Sequence, residues 1–399
     1  MRKTVSVNKL TVGMYVVRVT KSSGSAIMKS QGLLKTHESI ERLKSLKVKE
    51  VEIDTSKSNN RPTEETVVET PIEETYLSNT APPTTSISRE IKKAQAMYSK
   101  ARETQQKAFD RIRSEGKVDI ESYEEIAAEF LDSIIRNQDA LLCMTKLQNK
   151  DSYLLDHSIN VGILLAIFAK HLGLSRDIGL KLTLAGILHD IGKIKVPDEV
   201  LLKKGRLTKE EFEEIKKHPQ YGADILTDAG MDGLTIQIAL QHHERLSGSG
   251  YPSGLIEHQL NQYVRMSCIV DVFDAITAER VYKPGMTTFQ AFNVIKKSGD
   301  SEFDGKLLNQ FARAVGLFSI GTVVLMESQK LAIVTQTNYE TPLKPFVTTF
   351  YHTKFARHIE STTVDLTSKK ASDSIERVVN PKDFNIDINI LIERFIIDS

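Results

Sequence analysis

The stretch Leu188-His189-Asp190-Ile191-Gly192-Lys193 places a histidine and an aspartate side by side at the end of an apolar segment. A charged aspartate is costly to bury in such a position unless a cation compensates it. The adjacent pair can present an imidazole and a carboxylate to one point, and a carboxylate can also bridge two metal ions, which an imidazole cannot. We therefore interpret this stretch as part of a metal site at the end of a helix.

Residues of the same kind recur on both sides of this stretch. A random surface histidine has no reason to recur at intervals of roughly thirty residues, whereas metal ligands on successive helices of a bundle do. The additional candidate ligands are His157, His218, His242, His243 and Asp271. Asp271 lies in the apolar run 268–276, where a buried carboxylate needs an ionic partner or a metal. Asp274 lies in the same apolar run, and it is either a further metal-binding residue or a structural one. In the structural role it holds a ligand or a helix end in place.

The composition is that of a globular protein, with 399 residues and 40% hydrophobic content, which gives room for two or three domains. Residues 1–20 alternate polar and apolar positions and lack the continuous apolar core of a signal peptide. The longest apolar stretch, 161–169, ends at Lys170 and is too short to span a bilayer. Cys143 and Cys268 lie far apart in apolar contexts, which excludes a disulfide framework and a thiolate metal site. We expect a cytoplasmic protein without a membrane span.

The charge of the chain is balanced overall but not locally. The net charge is +1, yet residues 1–58 carry more Lys and Arg than Asp and Glu. A solvated basic face accounts for this excess about as well as binding to nucleic acid or to a membrane surface does. We expect no DNA or RNA polymer as a partner.

Changes in composition divide the chain into five segments. Residues 1–58 mix short alternating runs with a helical stretch, which predicts a small α+β regulatory module. Residues 59–88 are rich in Ser, Thr, Glu and Pro, with too little apolar surface to offset chain entropy, and predict a disordered linker. Good helix formers predict a helical connector over 89–150 and helices throughout 151–316. Residues 317–399 predict a β-rich C-terminal extension, so the fold class is mainly α.

Local patterns give the boundaries of several elements. A break at 114–116 separates the two predicted helices of the connector. These helices pack on each other or, alternatively, form a homodimer contact or a signal-transmitting helix. Ser175 is a candidate helix cap, and the pairs Thr208 with Glu211 and Thr287 with Gln290 are candidate capping boxes. Strands are predicted at 323–326, 331–335 and 346–350.

Taken together, the motifs resemble a known family. The His189-Asp190 stretch, His242-His243-Glu244, Gly250-Tyr251-Pro252 and the segment from Asp271 to Lys283 resemble the HD-GYP phosphodiesterases of bacteria, a branch of the HD metal-dependent phosphohydrolases. The resemblance covers residues 151–316, and its motifs occur in order and at suitable intervals. Residues 4–58 also look like the small uncharacterised domain often found ahead of this catalytic domain, which implies regulation.

The resemblance implies a helical domain with two or three metal ions that hydrolyses cyclic di-GMP to linear pGpG or GMP. It implies one ion held by His157, His189, Asp190 and Asp271, and a second held by Asp190, His218, His242 and His243. Family members with a third metal carry a Glu four residues before the first histidine. Tyr153 stands at that position here, which favours two metals. Leu246-Ser247 stands where Trp-Asp is common in the family, and this departure removes no ligand.

Phosphodiester hydrolysis requires neutralisation of the anion and production of hydroxide near neutral pH, which two metal ions about 3.5–4 Å apart can achieve. Ligands of nitrogen and oxygen without thiolate suit iron or manganese, with zinc and nickel as alternatives. Lys193, together with Asp190, is a candidate catalytic residue that stabilises charge on the phosphate or leaving oxygen. Arg280 and Lys283, like Lys193, are candidates for binding substrate phosphates and resemble the family's phosphate-contacting pair.

The sequence leaves two alternatives to cyclic di-GMP hydrolysis open. Some members of the family cleave 3'3'-cyclic GMP-AMP, and the recognition groups for phosphate do not distinguish the bases. A protein of a different class would bind a cyclic dinucleotide as a receptor without turnover. Loss of a metal ligand would favour the receptor, and no ligand of the implied set is missing.

Overall fold

The computed structural model describes residues 2–7, 10, 14–22, 32–34, 40, 43–45, 47–55, 57, 77, 82–115, 118–147, 153–203, 205–278, 285–369, 371 and 373–398. The chain divides into two compact units, Met1–Glu73 and Glu74–Ser399. The mainly α fold class predicted from the sequence is confirmed.

The N-terminal unit contains a four-stranded antiparallel sheet. Its strands are β1 (Arg2–Ser6), β2 (Tyr15–Ser22), β3 (Gly32–Leu33) and β4 (Val48–Asp54), in the order β1-β4-β2-β3. Val48, Val51 and Ile53 of β4 lie in a small apolar core, where Val51 is fully buried. The sheet therefore has one face that packs on its own core.

The second unit consists of helices followed by a sheet. Its helices are α1 (Ile87–Glu115), α2 (Ile120–Met144), α3 (Tyr153–His171), α4 (Arg176–Leu188), α5 (Asp198–Leu201), α6 (Lys209–Ile215), α7 (His218–Asp228), α8 (Gly233–Gln241), α9 (Gln262–Thr277), α10 (Thr288–Ser298), α11 (Gly305–Val315) and α12 (Ile388–Ile392). Short 3₁₀ turns lie at Ile191–Lys195, Glu257–Gln259 and Pro381–Phe384, and a π-helical turn lies at Glu393–Ile397. Among the described residues, no helix combines the length and the hydropathy needed to cross a bilayer.

The helix starts follow the capping residues found in the sequence. The Ser175 side chain accepts a hydrogen bond from the Ile178 N–H at the start of α4. Thr208 and Glu211 form the predicted capping box of α6, and Thr287 and Gln290 form that of α10. These side chains satisfy backbone donors that have no partner within the helix. The predicted capping positions are therefore confirmed.

The predicted linker is packed at one described position. Leu77 is buried in the core of the helical unit, and its N–H donates to the Leu174 carbonyl at 2.9 Å. Helix α1 begins at Ile87, inside the segment predicted to be disordered. The expectation of disorder is therefore wrong at these positions, because one apolar side chain in a polar stretch can dock on a surface that composition does not reveal. Residues 59–76 and 78–81 lie outside the described residues.

The C-terminal strands form an antiparallel sheet. Its strands are β5 (Val323–Met326), β6 (Lys330–Gln336), β7 (Phe346–His352), β8 (Arg357–Asp365) and β9 (Ile375–Val378), in the order β8-β7-β6-β5-β9. The three predicted strands are confirmed as β5, β6 and β7. Leu325 and Ile333 on one face of this sheet belong to the same apolar core as the helices. The sheet therefore packs directly on the helical bundle.

Helices α3 and α4 form the centre of the bundle and approach each other at two glycines. A Cβ atom added to Gly186 would lie 2.6 Å from the Gly162 Cα atom. Such a distance is far shorter than a normal carbon contact, so any side chain at this position must push the two helices apart. Because α3 carries His157 and His189 directly follows α4, this spacing also sets the distance between two candidate ligands.

We predict that Gly186→Ala lowers the free energy of unfolding by about 1–3 kcal/mol, because the added methyl group overpacks the contact between α3 and α4. Urea unfolding followed by circular dichroism measures the change. Gly233→Ala is the matched control, since a Cβ atom there meets no atom within 4 Å. Equal stability of the two variants would contradict the proposed close packing.

Candidate metal centre

Seven predicted ligands meet where several helices begin or end. His157 lies on α3 and Asp271 on α9, whereas His189 and Asp190 follow the last residue of α4. His218 is the first residue of α7, and His242 and His243 follow the last residue of α8. The side chains are buried, with His243 slightly more exposed than the others. Helix packing thus brings together residues separated by up to 114 positions.

The ligand atoms fall into two groups. In the first, one atom each of His157, His189 and Asp271 lie within 4.8 Å of one another. The Nε2 atoms of His157 and His189 lie 3.1 and 3.8 Å from Asp271 Oδ1. In the second group, atoms of Asp190, His218, His242 and His243 lie within the same limit. Each group has the number and kind of donors that a divalent metal ion needs.

The Asp190 carboxylate lies between the two groups. Its Oδ2 atom is 3.4 Å from His189 Nε2 and 3.7 Å from His157 Nε2. Its Oδ1 atom is 3.2 Å from His218 Nε2 and 3.6 Å from His242 Nε2. One oxygen therefore faces each group, as bridging of two metal ions by a carboxylate requires.

Gly192 allows Asp190 and His218 to approach each other. The 3₁₀ turn that contains Gly192 lies against the first residues of α7. A Cβ atom at this position would be 2.0 Å from the His218 carbonyl oxygen. The glycine in the stretch Ile191-Gly192-Lys193 is thus explained by the close passage of two backbones.

Backbone carbonyls orient three of the histidines. The Nδ1 atoms of His189 and His218 each lie 2.7 Å from the carbonyl oxygen three residues earlier, and that of His242 lies 2.9 Å from the Ala239 oxygen. Each of these carbonyls is in the last turn of a helix, where it has no helical donor. Because a carbonyl only accepts, Nδ1 carries the proton and Nε2 of the neutral ring keeps its lone pair.

The resulting arrangement fits bound cations. The Nε2 atoms of His218 and His242 face each other at 3.3 Å, although both keep a lone pair in this tautomer. His189 Nε2 and Asp190 Oδ1 are buried and have no hydrogen-bond partner among the described residues. Buried acceptors without donors are costly. A positive ion coordinated by these atoms removes this cost. The nitrogen and oxygen atoms of the cluster therefore fit divalent metal ions as ligands.

The protonation states also favour metal binding. Burial lowers the pKa of His242 to about 4, and burial with the neighbouring His242 holds the pKa of His243 well below its ordinary value. Both rings are therefore neutral at pH 7, as metal ligands must be. Burial raises the pKa of Asp190, but the Lys193 ammonium and His189 outweigh this effect and hold it well below the usual range. The carboxylate is thus ionised.

His157 is held by two carboxylates. Its Nδ1 atom lies 2.7 Å from Asp274 Oδ2, while Nε2 faces Asp271. Burial lowers the pKa of His157, but the hydrogen bonds to Asp271 and Asp274 raise it to about 9. A metal ion at Nε2 therefore replaces a proton. Asp274 has the structural role considered as an alternative in the sequence, since it orients a candidate ligand.

Glu244 is a further buried residue whose role the sequence did not indicate. Its carboxylate accepts hydrogen bonds from the N–H groups of Ser253 and Leu255 at 2.7 and 2.9 Å. It thereby holds the loop that contains Gly250-Tyr251-Pro252. The Tyr251 ring lies against the His243 ring, with 4.7 Å between their centroids. The position of Glu244 directly after His242-His243 does not by itself reveal this function.

The Leu246-Ser247 departure from the family pattern has a local explanation in the structure. The Ser247 hydroxyl donates to a Glu302 carboxylate oxygen at 2.9 Å, and the Leu246 N–H donates to the Glu302 carbonyl at 3.3 Å. The loop is thereby tied to the segment that follows α10. Substitution of the common Trp-Asp pair leaves the base of this loop held in place.

The predicted phosphate-binding residues are placed only in part. The Lys193 ammonium lies 2.5 Å from Asp190 Oδ2 and is partly exposed, so this cation lies at the edge of the centre. Arg280 and Lys283 lie outside the described residues. The structure thus brings together all seven predicted ligands and Lys193.

Comparison with known proteins identifies two matching family models. Residues 141–307 match the HD domain, and residues 2–123 match a domain of unknown function, DUF3391. The chain is 33% identical over 379 residues to a cyclic di-GMP phosphodiesterase of Pseudomonas aeruginosa. This alignment covers 94% of this chain and 91% of that protein.

Two further relatives match over shorter stretches. The cyclic di-GMP phosphodiesterase response regulator RpfG of Xanthomonas campestris is 38% identical over 37% of this chain and 39% of its own length. The 3'3'-cGAMP-specific phosphodiesterase 1 of Vibrio cholerae is 34% identical over 39% of this chain and 36% of its own length. The metal dependence of HD domains agrees with the cluster of histidines and aspartates.

We predict that Asp274→Ala lowers metal affinity about 10–100-fold, because His157 loses the acceptor that fixes its ring and tautomer. Metal titration of the purified protein with inductively coupled plasma mass spectrometry as readout measures the change. Asp228→Ala, at the exposed end of α7, is the control. Metal binding by Asp274→Ala equal to that of the control would show that Asp274 has no part in holding His157.

Proposed function

Because the chain belongs to the HD-GYP family of metal-dependent phosphodiesterases, we propose that it hydrolyses cyclic di-GMP to linear pGpG or GMP at the cluster around Asp190. The observation that carries the proposal is the convergence of seven nitrogen and oxygen donors in two groups joined by one carboxylate. Similarity to a cyclic di-GMP phosphodiesterase over 91% of that protein's length supports it. The chain is accordingly a cyclic dinucleotide phosphodiesterase.

We propose two divalent ions, iron or manganese, as the cofactors. His157, His189 and Asp271 would hold one ion, His218, His242 and His243 the other, and Asp190 would bridge them. The donor set of imidazoles and carboxylates, without thiolate, supports iron or manganese. Tyr153 stands where family members with a third ion carry a glutamate, which supports two ions. When bound, the ions supply charge neutralisation and activation of water near neutral pH.

The residues of the chain divide the remaining work. The Lys193 ammonium is proposed to stabilise negative charge on the phosphate or the leaving oxygen, and its position beside Asp190 supports this role. Arg280 and Lys283 are proposed to bind substrate phosphates, on the strength of their place in the sequence after Asp271. The loop held by Glu244 places the Tyr251 ring against the His243 ring at one side of the centre.

We propose a cytoplasmic protein, which agrees with the free, buried state of Cys143 and Cys268.

A homodimer through α1 and α2 is a second proposal. The apolar face of α1 packs in the core of its own unit, so a dimer would use the polar face of the pair. Size-exclusion chromatography with light scattering tests it.

We predict that Asp190→Ala loses at least one metal ion and reduces hydrolysis of cyclic di-GMP at least ~10²-fold, because both ions depend on this carboxylate. The experiment compares iron- or manganese-loaded wild type and variant by product chromatography, metal analysis and circular dichroism. Asp224→Ala, an exposed aspartate on α7, is the control. Full activity with unchanged metal content in Asp190→Ala would rule out the assignment.

A second candidate substrate is 3'3'-cyclic GMP-AMP, because a relative specific for this dinucleotide is 34% identical over 157 residues. Lys193, Arg280 and Lys283 recognise phosphates, which both dinucleotides share. We expect preference for cyclic di-GMP when both substrates compete at equal concentration. A specificity ratio more than about tenfold in favour of the hybrid dinucleotide would overturn this preference and leave the metal mechanism unchanged. Tight binding without any product would instead favour a receptor.

A further inference from the structure

An exposed aromatic side chain lies near the metal centre. Phe212 on α6 is 45% exposed, although burial of a phenylalanine ring is energetically favourable. Helix α6 ends at Ile215, whose carbonyl orients the candidate ligand His218. The position of Phe212 is therefore fixed relative to the metal centre by one short, rigid segment.

Lys216 connects this ring to the loop over the centre. Its ammonium nitrogen lies 5.1 Å from the Phe212 ring centroid and 5.9 Å from the Tyr251 ring centroid. The Tyr251 ring in turn lies 4.7 Å from the ring of His243. Phe212, Lys216 and Tyr251 thus form a continuous surface that leads outward from the second group of ligands, and we name these three residues the aromatic shelf.

The chemistry of the aromatic shelf matches a nucleotide. An exposed aromatic ring can stack on a nucleobase of any kind, and an ammonium group beside it can contact the phosphate linked to that base. A cyclic dinucleotide with one phosphodiester at the metal ions must extend its bases away from them. The shelf begins at a metal ligand and runs away from it, so a base held there can belong to a substrate bound at the centre.

Lys216, the cation of the shelf, can exchange its carboxylate partner for a phosphate. Lys216 pairs with Glu213 at 2.6 Å, and the Glu213 side chain is well exposed. An exposed pair on one helix contributes little to stability. A phosphate of a bound substrate can therefore replace Glu213 as the partner of Lys216 without loss of the fold.

We infer that Phe212 stacks on one purine base of the cyclic dinucleotide while Lys216 contacts the phosphate attached to it. The inference rests on the proposed function, since it names two further residues that bind the substrate of that reaction. It assigns a role to α6 beyond the orientation of His218. Stacking does not distinguish guanine from adenine, so the shelf supplies affinity and not base selectivity.

The test of Phe212 measures kcat and KM for cyclic di-GMP hydrolysis by the metal-loaded, full-length protein. Phe212→Ala should raise KM about tenfold with a smaller effect on kcat, because stacking acts mainly on binding. Phe212→Trp should restore KM, since it keeps an aromatic face, whereas Phe212→Leu should not. Phe355→Leu is the control, because Phe355 is 58% exposed in the turn after β7.

The test of Lys216 uses its neighbour as a matched control. Lys217 pairs with Glu214 at the same 2.6 Å, also at the spacing i,i+3, and is more exposed. Lys216→Gln should raise KM about threefold and weaken the dependence of KM on salt, because one contact to phosphate is lost. Lys217→Gln should change neither quantity. Metal content is measured for every variant.

The outcomes separate this inference from the proposed function. Hydrolysis by the wild type, with unchanged KM in Phe212→Ala and Lys216→Gln, would overturn the aromatic shelf alone. An equal rise in KM in Phe212→Ala and Phe212→Trp would also overturn the aromatic shelf, since a merely structural role does not depend on an aromatic face. Absence of both hydrolysis and cyclic dinucleotide binding in the wild type would overturn the proposed function and the shelf together.

Discussion

The ionised carboxylate of Asp190 lies buried between two sets of imidazoles, and this arrangement needs positive charge to be stable. Both of its oxygens face histidine nitrogens that keep lone pairs, so neighbouring side chains supply few donors. Lys193 contributes one cation at the edge of the centre. The other helices of the bundle place their ligands around this carboxylate. Metal binding and the arrangement of the bundle are therefore linked, because ions that bind only the assembled centre stabilise the folded state.

The ends of helices provide much of the precision of the centre. His189, His218 and His242 each bond to a carbonyl in the last turn of a helix, where the backbone has acceptors without helical donors. The same contact satisfies the backbone and fixes the tautomer of the ligand. His157 is different, because it lies on α3 and relies on Asp274 for its orientation. Backbone carbonyls for three histidines and the Asp274 carboxylate for His157 thus orient the imidazoles to bind metal with little reorganisation.

The surroundings of the centre connect metal binding to substrate recognition. Glu244 holds the glycine-containing loop through two backbone donors, and this loop carries Tyr251 over His243. On the neighbouring side, α6 orients His218 and presents Phe212, and Lys216 directly follows its last residue. The elements that position ligands therefore also present the groups that can contact a bound nucleotide. Such shared support is expected where binding and chemistry occur at one place.

The sequence by itself determined the features that depend on neighbouring residues. Helix caps such as Ser175, the strands of the C-terminal sheet, the identity of the candidate ligands and the family all follow from short motifs and local periodicity. Tertiary structure alone decided the role of Glu244, the docking of Leu77 and the support of His157 by Asp274. It also brought the ligands into two groups around the oxygens of Asp190, a division that the sequence only implied through the family. The physical reason is that capping acts over three or four residues, whereas His157 and Asp271 meet only through the packing of helices α3, α4 and α9.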